Sequence, residues 1–378
     1  MSGAPVALQR CDVFVQRTMN WLYDHLRAVP RYRPLVLCDR LTNRVEFPEL
    51  EAWILPRERL DWRAWHRLMG DRLYPPLGWR LGRTRPRLLH THFGYVAEAD
   101  LVLQRVLEVP WLIGFYGADV YELGGQQETR ERYEPVFAQA TRALALGPAM
   151  AAALRQLGCP EHKIAVHPLG VDTASLPYQP RALAKGDDLR ILFAGSFREK
   201  KGITYLIHAA HLARAGGVRF KLHLVGDAWA KEGDAELKAE VFRLIGSYGL
   251  EDVVVHQTWL PFQELLALAL RCHLFVAPSV TARNGDSEGT PFVIQQMMAT
   301  AMPVISTVHS DIPFVFGAHA SQLVPERDAR AIADRIQAYA DEPGRLTRDG
   351  QALAAQMRAN FDVRDRAAAL ADLYDSVS

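Results

Sequence analysis

The chain has 378 residues, with 44 Lys and Arg against 43 Asp and Glu and a net charge of +1. That length allows two domains of ordinary size, and the charge balance excludes a global field that would drive binding to nucleic acid. Hydrophobic residues are 49% and charged residues 23% of the chain, as in water-soluble globular proteins. Cys11, Cys38, Cys159 and Cys272 are scattered without a C-x-x-C pair, which fits a reducing cytoplasm better than a disulfide framework or a zinc site. The opening MSGAPVALQRCDVF lacks a charged region followed by an apolar core, so no signal peptide is expected. No apolar run approaches the length of a membrane span.

Residues 11–29 carry a helical pattern, with Val15, Met19, Leu22 and Leu26 on one stripe. Residues 34–38, PLVLC, read as a strand. Residues 57–87 hold nine arginines against Glu58, Asp61 and Asp71, with Trp62, Trp65 and Trp79 interleaved. This segment is either a solvated helix face with tryptophans on the core or a contact with anionic lipid headgroups. RNA binding is a third option, but no module for reading bases accompanies it.

Residues 87–94, RLLHTHFG, read as a strand running into a loop, with His90 and His92 on one face near its C-terminal end. That is where open α/β sheets bind ligands. Residues 111–119, WLIGFYGAD, repeat the arrangement with Tyr116, Gly117 and Asp119. No third ligand accompanies the two histidines, so no metal site is read. A strand and a helix follow, then a strand ending HPLGVD. Residues 173–188, with two prolines and no strong period, read as a linker.

A strand at 189–194 runs into GSFREKKG, residues 195–202, and a helix from Ile203. A glycine-rich turn with basic residues at a helix start is an anion site. It is not a Walker A motif, whose spacing and terminal Ser or Thr are absent. KLHLVGD at 221–227, a short strand at 253–256 and another at 274–277 continue a βαβα alternation, which implies a parallel, doubly wound sheet. From Ala329 the chain is mostly helical. Residues 278–313 then stand out. Pro278, Ser279, Asn284 and Gly285 open a loop, Asp286 and Glu288 follow, and a helix begins at Pro291. An acidic loop beside a helix N-terminus suits a ligand with both phosphate and hydroxyl groups, and so a sugar nucleotide.

Here the chain resembles the GT4-type retaining glycosyltransferases of the GT-B fold. Their donor-site signature is a Glu, a Gly, any residue, a Pro and a second Glu eight positions after the first. Glu288, Gly289 and Pro291 match, Gln296 replaces the second Glu, and Ala301 replaces a Gly before the next strand. Lys201 matches the family's phosphate-gripping Lys, while Ser196 stands where the family has Arg and Arg198 lies two residues on. The lack of a Gly-rich loop after the first strand is similar to the colanic-acid and exopolysaccharide branch.

The resemblance implies two Rossmann-like domains facing a cleft, with the last helix crossing back to the first. The expected boundaries are 1–172 for the acceptor-side domain, 173–188 for a linker, 189–360 for the nucleotide-sugar domain and 361–378 for the returning helix. It implies Glu288 and Lys201 as catalytic. Gly195, Ser196, Arg198, Gly226, Leu260, Asp286, Gly289, Thr290, Pro291 and Gln296 are expected to bind the donor. His92, Gly94, Tyr116 and Asp119 are expected on the acceptor side. It implies a UDP- or GDP-linked sugar donor as substrate, no cofactor and no metal. The expected acceptor is a glycan or lipid-linked molecule, the expected process is exopolysaccharide or cell-surface polysaccharide synthesis and the expected place is the cytoplasm, while the segment 57–87 motivates peripheral contact at the inner face of an anionic membrane. Gln296 and Ser196 motivate a second reading, a non-catalytic glycosyltransferase-like partner that binds a sugar nucleotide or an active subunit.

Overall fold

The first strand begins earlier than the helical pattern at 11–29 suggests. Residues Val6–Phe14 form β1, and the helix is confined to Asn20–Ala28. β1 is buried on both faces, as befits a central parallel strand. Its apolar run is broken by Gln9 and Arg10, and both are buried because both are paired. The Arg10 guanidinium donates to Asp100 Oδ1 at 3.0 Å and to Asp39 Oδ1 at 2.8 Å. The segment read as the first strand, 34–38, is therefore part of the second.

This computed structural model describes residues 3–16, 20–45, 47–48, 50–70, 72–125, 127–229 and 233–378. Met19 and Asp71, used in the sequence reading, lie outside the described residues. Two units are distinguished, Met1–Gly170 with Val363–Ser378, and Val171–Asp362. The first holds β1, β2 (Arg33–Leu41), β3 (Ala52–Ile54), β4 (Leu88–His92), β5 (Trp111–Gly114), β6 (Arg142–Ala145) and β7 (Ile164–Val166) in the order β3-β2-β1-β4-β5-β6-β7. The second holds β8 (Leu189–Ala194), β9 (Phe220–Val225), β10 (Val254–Gln257), β11 (Leu274–Ala277) and β12 (Val304–Ser306) in the order β10-β9-β8-β11-β12. Every pairing in both sheets is parallel. Each sheet is doubly wound, and its order reverses between β1 and β4 in the first and between β8 and β11 in the second. Such switch points, at the carboxyl ends of the strands, are where ligands bind in open α/β sheets.

The C-terminal helix Val363–Val377 belongs to the first unit. Ala367, Leu370, Ala371 and Tyr374 pack with Ala7, Leu88, Leu112 and Leu144 of its sheet. The segment read as a linker, 173–188, is part of the second unit, where Arg181 is buried and ends two helices. Its guanidinium donates to Cys272 O at 2.9 Å, to Thr300 O at 3.2 Å and to Thr300 Oγ1 at 3.1 Å. No carboxylate meets it among the described residues; the carbonyls at the helix ends balance its charge.

Beside Tyr374 the first unit buries a chain of polar groups. The Tyr116 hydroxyl meets His92 Nδ1 at 2.7 Å and His92 Nε2 meets Gln9 Oε1 at 3.0 Å. Gln9 Nε2 donates to the Tyr374 hydroxyl at 3.3 Å, which in turn meets His90 Nδ1 at 2.7 Å. His25 and His167 lie against each other, with their Nε2 atoms 3.3 Å apart. Burial pushes His25 down to about 4 and His92 down to about 3, and it lowers His90 and His167 as well. All four are neutral when folded near pH 7, whereas the unfolded chain begins to protonate them near 6.5. Below that pH the unfolded state binds more protons, so their stabilisation is complete above about pH 6.5 and declines as pH falls toward 4. Asp100 opposes this as a single group, because burial raises its carboxyl to about 6. The melting temperature of the first unit should therefore fall between pH 7 and pH 4.5, and His25→Gln should flatten the slope. A melting temperature independent of pH over this range, followed by tryptophan fluorescence, would refute the account.

Candidate functional site

The loops that leave β8 and β11 meet at the switch point of the second sheet. After β8 come Gly195 and Ser196, then Arg198 and a single turn at Glu199–Lys201 closed by Gly202. Gly202 has φ +64°, and a Cβ there would fall 1.8 Å from the Pro278 carbonyl oxygen at the start of the other loop. Only glycine lets the two loops approach this closely. The second loop runs from Pro278 to Pro291, and the helix Phe292–Ala299 follows.

The acids of one loop are paired with the bases of the other. The Arg198 guanidinium donates to Asp286 Oδ2 at 2.8 Å, and Lys200 Nζ donates to Asp286 Oδ1 at 3.0 Å and to Ser287 O at 3.3 Å. Lys201 Nζ lies 2.8 Å from Glu288 Oε1. Asp286 is 2% and Glu288 7% exposed. Burial alone would raise the Glu288 carboxyl, but the ammonium groups of Lys201 and Lys200 more than reverse this and hold it at about 2. Glu288 is ionised at every physiological pH. The Glu288 backbone N–H donates to His309 Nε2 at 3.0 Å, which places the His309 proton on Nδ1, 2.6 Å from Glu326 Oε1. Three cations face two carboxylates, leaving one positive charge in excess.

Several expected donor-site residues gather here. Gly289, Thr290 and Pro291 are buried between Glu288 and the helix start. Gln296 is 8% exposed, and its amide makes no hydrogen bond to the described residues. Gly195 donates its N–H to Val225 O at 3.0 Å, and Gly226 donates to Gln257 O at 3.0 Å, so both sit at the carboxyl ends of β8 and β9. Ser196 accepts from the Arg198 N–H at 2.9 Å. Leu260, after β10, packs on the core. Ala301, where the family signature has Gly, is left-handed at φ +60°.

The first-unit residues follow β4 and β5. Asp119 is fully buried and accepts from the backbone N–H groups of Gly94, Tyr116 and Gly117 at 3.0, 3.0 and 2.9 Å. It ties the two strand ends together. His92 is buried with both ring nitrogens paired, as described above, and Tyr116 is partly exposed.

Sequence reasoning passed over five residues that the structure places here. Lys200 is as much a part of the ion-pair set as Lys201. His309 and Glu326 brace the Glu288 backbone from beyond β12. Trp229, after β9, meets Trp259 edge to face at 5.6 Å, and both are partly exposed. Gln295 is fully buried with neither amide atom paired, and Thr290 Oγ1 is likewise unpaired. The signal for Gln295 was a polar residue inside the apolar run of a buried helix.

Two family models match in succession. Residues 15–175 match Glycosyltransferase Family 4, and residues 188–342 match Glycosyl transferases group 1. Each model covers less than half of the chain, the two together cover most of it, and both describe glycosyltransferases. WcaL of Escherichia coli (strain K12), named for colanic acid biosynthesis, is 34% identical over 228 residues, 60% of this chain and 54% of WcaL. The amylovoran biosynthesis glycosyltransferase AmsK of Erwinia amylovora is 32% identical over 245 residues, 64% of this chain and 58% of AmsK. The match thus spans less than two thirds of these relatives. Among solved structures, sucrose-phosphate synthase from Thermosynechococcus elongatus has a TM-score of 0.75 at 19% identity, covering 99% of this chain and 98% of that one. HepE from Anabaena, in complex with UDP and glucose, has a TM-score of 0.77 at 16% identity, covering 98% and 99%. At these identities the likeness is one of fold, the GT-B fold.

A buried amide without partners costs roughly 1–3 kcal/mol. If Gln295 is a structural penalty only, Gln295→Leu should raise the melting temperature of the unliganded protein and leave nucleotide affinity unchanged. A rise in stability with loss of nucleotide affinity would instead place the amide on the ligand. Calorimetry of the free and nucleotide-bound protein separates the two.

Proposed function

We propose that this chain is a glycosyltransferase that moves a sugar from a nucleotide-sugar donor to a glycan or lipid-linked acceptor in cell-surface polysaccharide synthesis. The observation that carries the reading is the excess positive charge of the two loops at the β8–β11 switch point, set beside an ionised, buried carboxylate. The names of WcaL and AmsK support the process, and the UDP and glucose bound to HepE support the donor class.

In this reading the donor diphosphate draws Lys201 and Arg198 away from their carboxylates. Glu288, freed from Lys201, accepts hydrogen bonds from the sugar hydroxyls and so orients C1 toward the acceptor. As the bond from C1 to the diphosphate oxygen breaks, negative charge develops on that oxygen, and the lysine ammoniums and the N–H groups at the start of the helix Phe292–Ala299 stabilise it. The acceptor hydroxyl attacks from the same face with retention of configuration and gives its proton to the departing phosphate. The charge of Lys200, Lys201 and Arg198 serves in place of a metal ion. Gln296 keeps a carbonyl oxygen as acceptor for the ribose, and the Trp229–Trp259 pair flanks the base.

The experiment is a pair of variants. Lys201→Ala should weaken binding of the nucleoside diphosphate about tenfold or more, the loss of a charge-assisted hydrogen bond. Glu288→Gln should bind free nucleoside diphosphate as the parent does while sugar transfer falls steeply, with or without chelator. Unchanged nucleotide binding in Lys201→Ala, or no donor turnover by the parent, sinks the reading.

We further propose peripheral attachment of the first unit to anionic membrane. Among the described residues no helix is long and apolar enough to cross a membrane. The helix Leu60–Met69 has no buried residue and holds Leu60 at 82% and Leu68 at 81% exposure. Arg63 and Arg67 flank these leucines on the same arc, and all nine arginines of 57–87 are exposed. Sedimentation with anionic vesicles should show binding that fades as salt rises, because the screening length shortens to about 8 Å at physiological ionic strength. Equal sedimentation with neutral vesicles would count against it.

A further inference from the structure

The loop from Pro278 to Pro291 is held near both ends by one carboxylate that lies beyond β12. Past the end of that strand, Thr307 and Val324 form an isolated parallel bridge, and the Val308 N–H donates to Val324 O at 2.8 Å. His309 and Glu326 each lie two residues beyond that bridge, so the extended sheet sets them side by side. Glu326 Oε2 accepts from the Thr281 N–H at 2.9 Å, and Glu326 Oε1 meets His309 Nδ1 at 2.6 Å. His309 is 1% exposed and accepts the Glu288 N–H on Nε2 at 3.0 Å. Thr281 and Glu288 are thus both tied to Glu326, the first directly and the second through a neutral imidazole. Arg327 adds a bond to the Thr281 carbonyl.

This brace differs in kind from the ion pairs on the other side of the loop. Lys201 is the ion-pair partner of Glu288 Oε1, and in the reading above that lysine turns to the diphosphate. A carboxylate that loses its cation is free to swing away, and the loop that carries it to relax. The bonds to Glu326 involve no group that the diphosphate draws off. Two of the three tied groups are backbone N–H donors already paired, and the one N–H of the His309 ring is spent on Glu326. The Glu288 N–H has a further reason to stay, since it is buried and would lack an acceptor without His309.

We propose that His309 and Glu326 are positioning residues for sugar transfer: they fix the Glu288 backbone so that its carboxylate stays on the donor sugar when Lys201 changes partner. The inference rests on the glycosyltransferase reading above and gives neither residue a contact with the donor. A misplacement of about 1 Å in a reacting geometry costs on the order of a hundredfold in rate. The diphosphate, by contrast, is gripped by the charges of the opposite loop. Loss of the brace therefore falls on turnover and spares nucleotide affinity.

The test uses the full chain and three variants, His309→Leu, Glu326→Ala and His309→Gln. A glutamine can accept the Glu288 N–H on its amide oxygen and donate its NH₂ to Glu326, so it keeps both bonds in one side chain. Glu326 is partly exposed, so Glu326→Ala cuts the brace without emptying a buried site. His309→Leu and Glu326→Ala should lower the kcat of transfer by about tenfold or more, while calorimetric titration with UDP and GDP gives the Kd of the parent at full stoichiometry. His309→Gln should recover most of the lost kcat. Amide hydrogen exchange in residues 278–291 should quicken in His309→Leu and Glu326→Ala and slow again in His309→Gln. Parent-like turnover in both His309→Leu and Glu326→Ala overturns this inference alone. So does a loss of kcat and nucleotide affinity in equal measure, or a His309→Gln variant no better than His309→Leu. A parent that turns over no donor sinks the reading above, and this role with it.

Discussion

The second unit is organised around a constraint on buried charge. Asp286 and Glu288 are removed from water, and a buried carboxylate without a cation is strongly unfavourable. The loop that holds them contains no lysine, and its one arginine, Arg283, is turned out to solvent. The compensating cations come from the loop after β8, some ninety residues earlier in the chain. Gly202 permits the approach, and Arg198, Lys200 and Lys201 complete it. Each loop takes its shape only when the other is present, so the β8–β11 neighbourhood in the sheet is a precondition for the site.

The same constraint shapes what can bind. An anion entering this site competes with carboxylates for cations that are already engaged. If Lys201 turned to a phosphate and nothing replaced it, Glu288 would be left buried and unpaired, at a cost that offsets the new contact. A ligand that brings hydroxyl donors to Glu288 together with phosphate for Lys201 removes that penalty. The exchange therefore favours a molecule that is anionic at one end and a polyol at the other over either fragment alone. Asp286 plays a different part, because it holds two cations and keeps Lys200 when Arg198 turns away.

How far the sequence was legible follows from how local each signal is. Glu288, Gly289 and Pro291 were readable because a turn, an acid and a helix start stand side by side in the chain. Lys200 was not readable, since nothing local distinguishes it from Lys201; the distinction lies in which carboxylate each ammonium meets. β1 was missed because Gln9 and Arg10 interrupt its apolar run, and their partners Tyr374, His92, Asp100 and Asp39 are distant in sequence. Asp119 looked like a ligand-facing residue at a strand end, yet it is spent on three backbone N–H groups. Prolines made 173–188 look like a free linker, while Arg181, which pins it to two helix ends, acts through carbonyls that no side-chain pattern reveals.

The helix Val363–Val377 sets the order in which the two units can be completed. The second unit is a continuous stretch, 171–362, whereas the first is closed by residues that follow the second in the chain. Without that helix, Ala7, Leu88, Leu112 and Leu144 lose their apolar cover, and Gln9 Nε2 and His90 Nδ1 lose the Tyr374 hydroxyl. Tyr32 and Arg31 tie the same helix at its far end, through Asp375 at 2.8 Å and Asp372 at 2.5 Å. The uncovered apolar face and the two orphaned polar groups act together, since water that reached Gln9 would also solvate the neighbouring strands. Chains generally fold from the N-terminal domain onward during synthesis. Here the topology reverses that order: the unit that carries the paired loops has all its residues before the unit that precedes it can seal its own core.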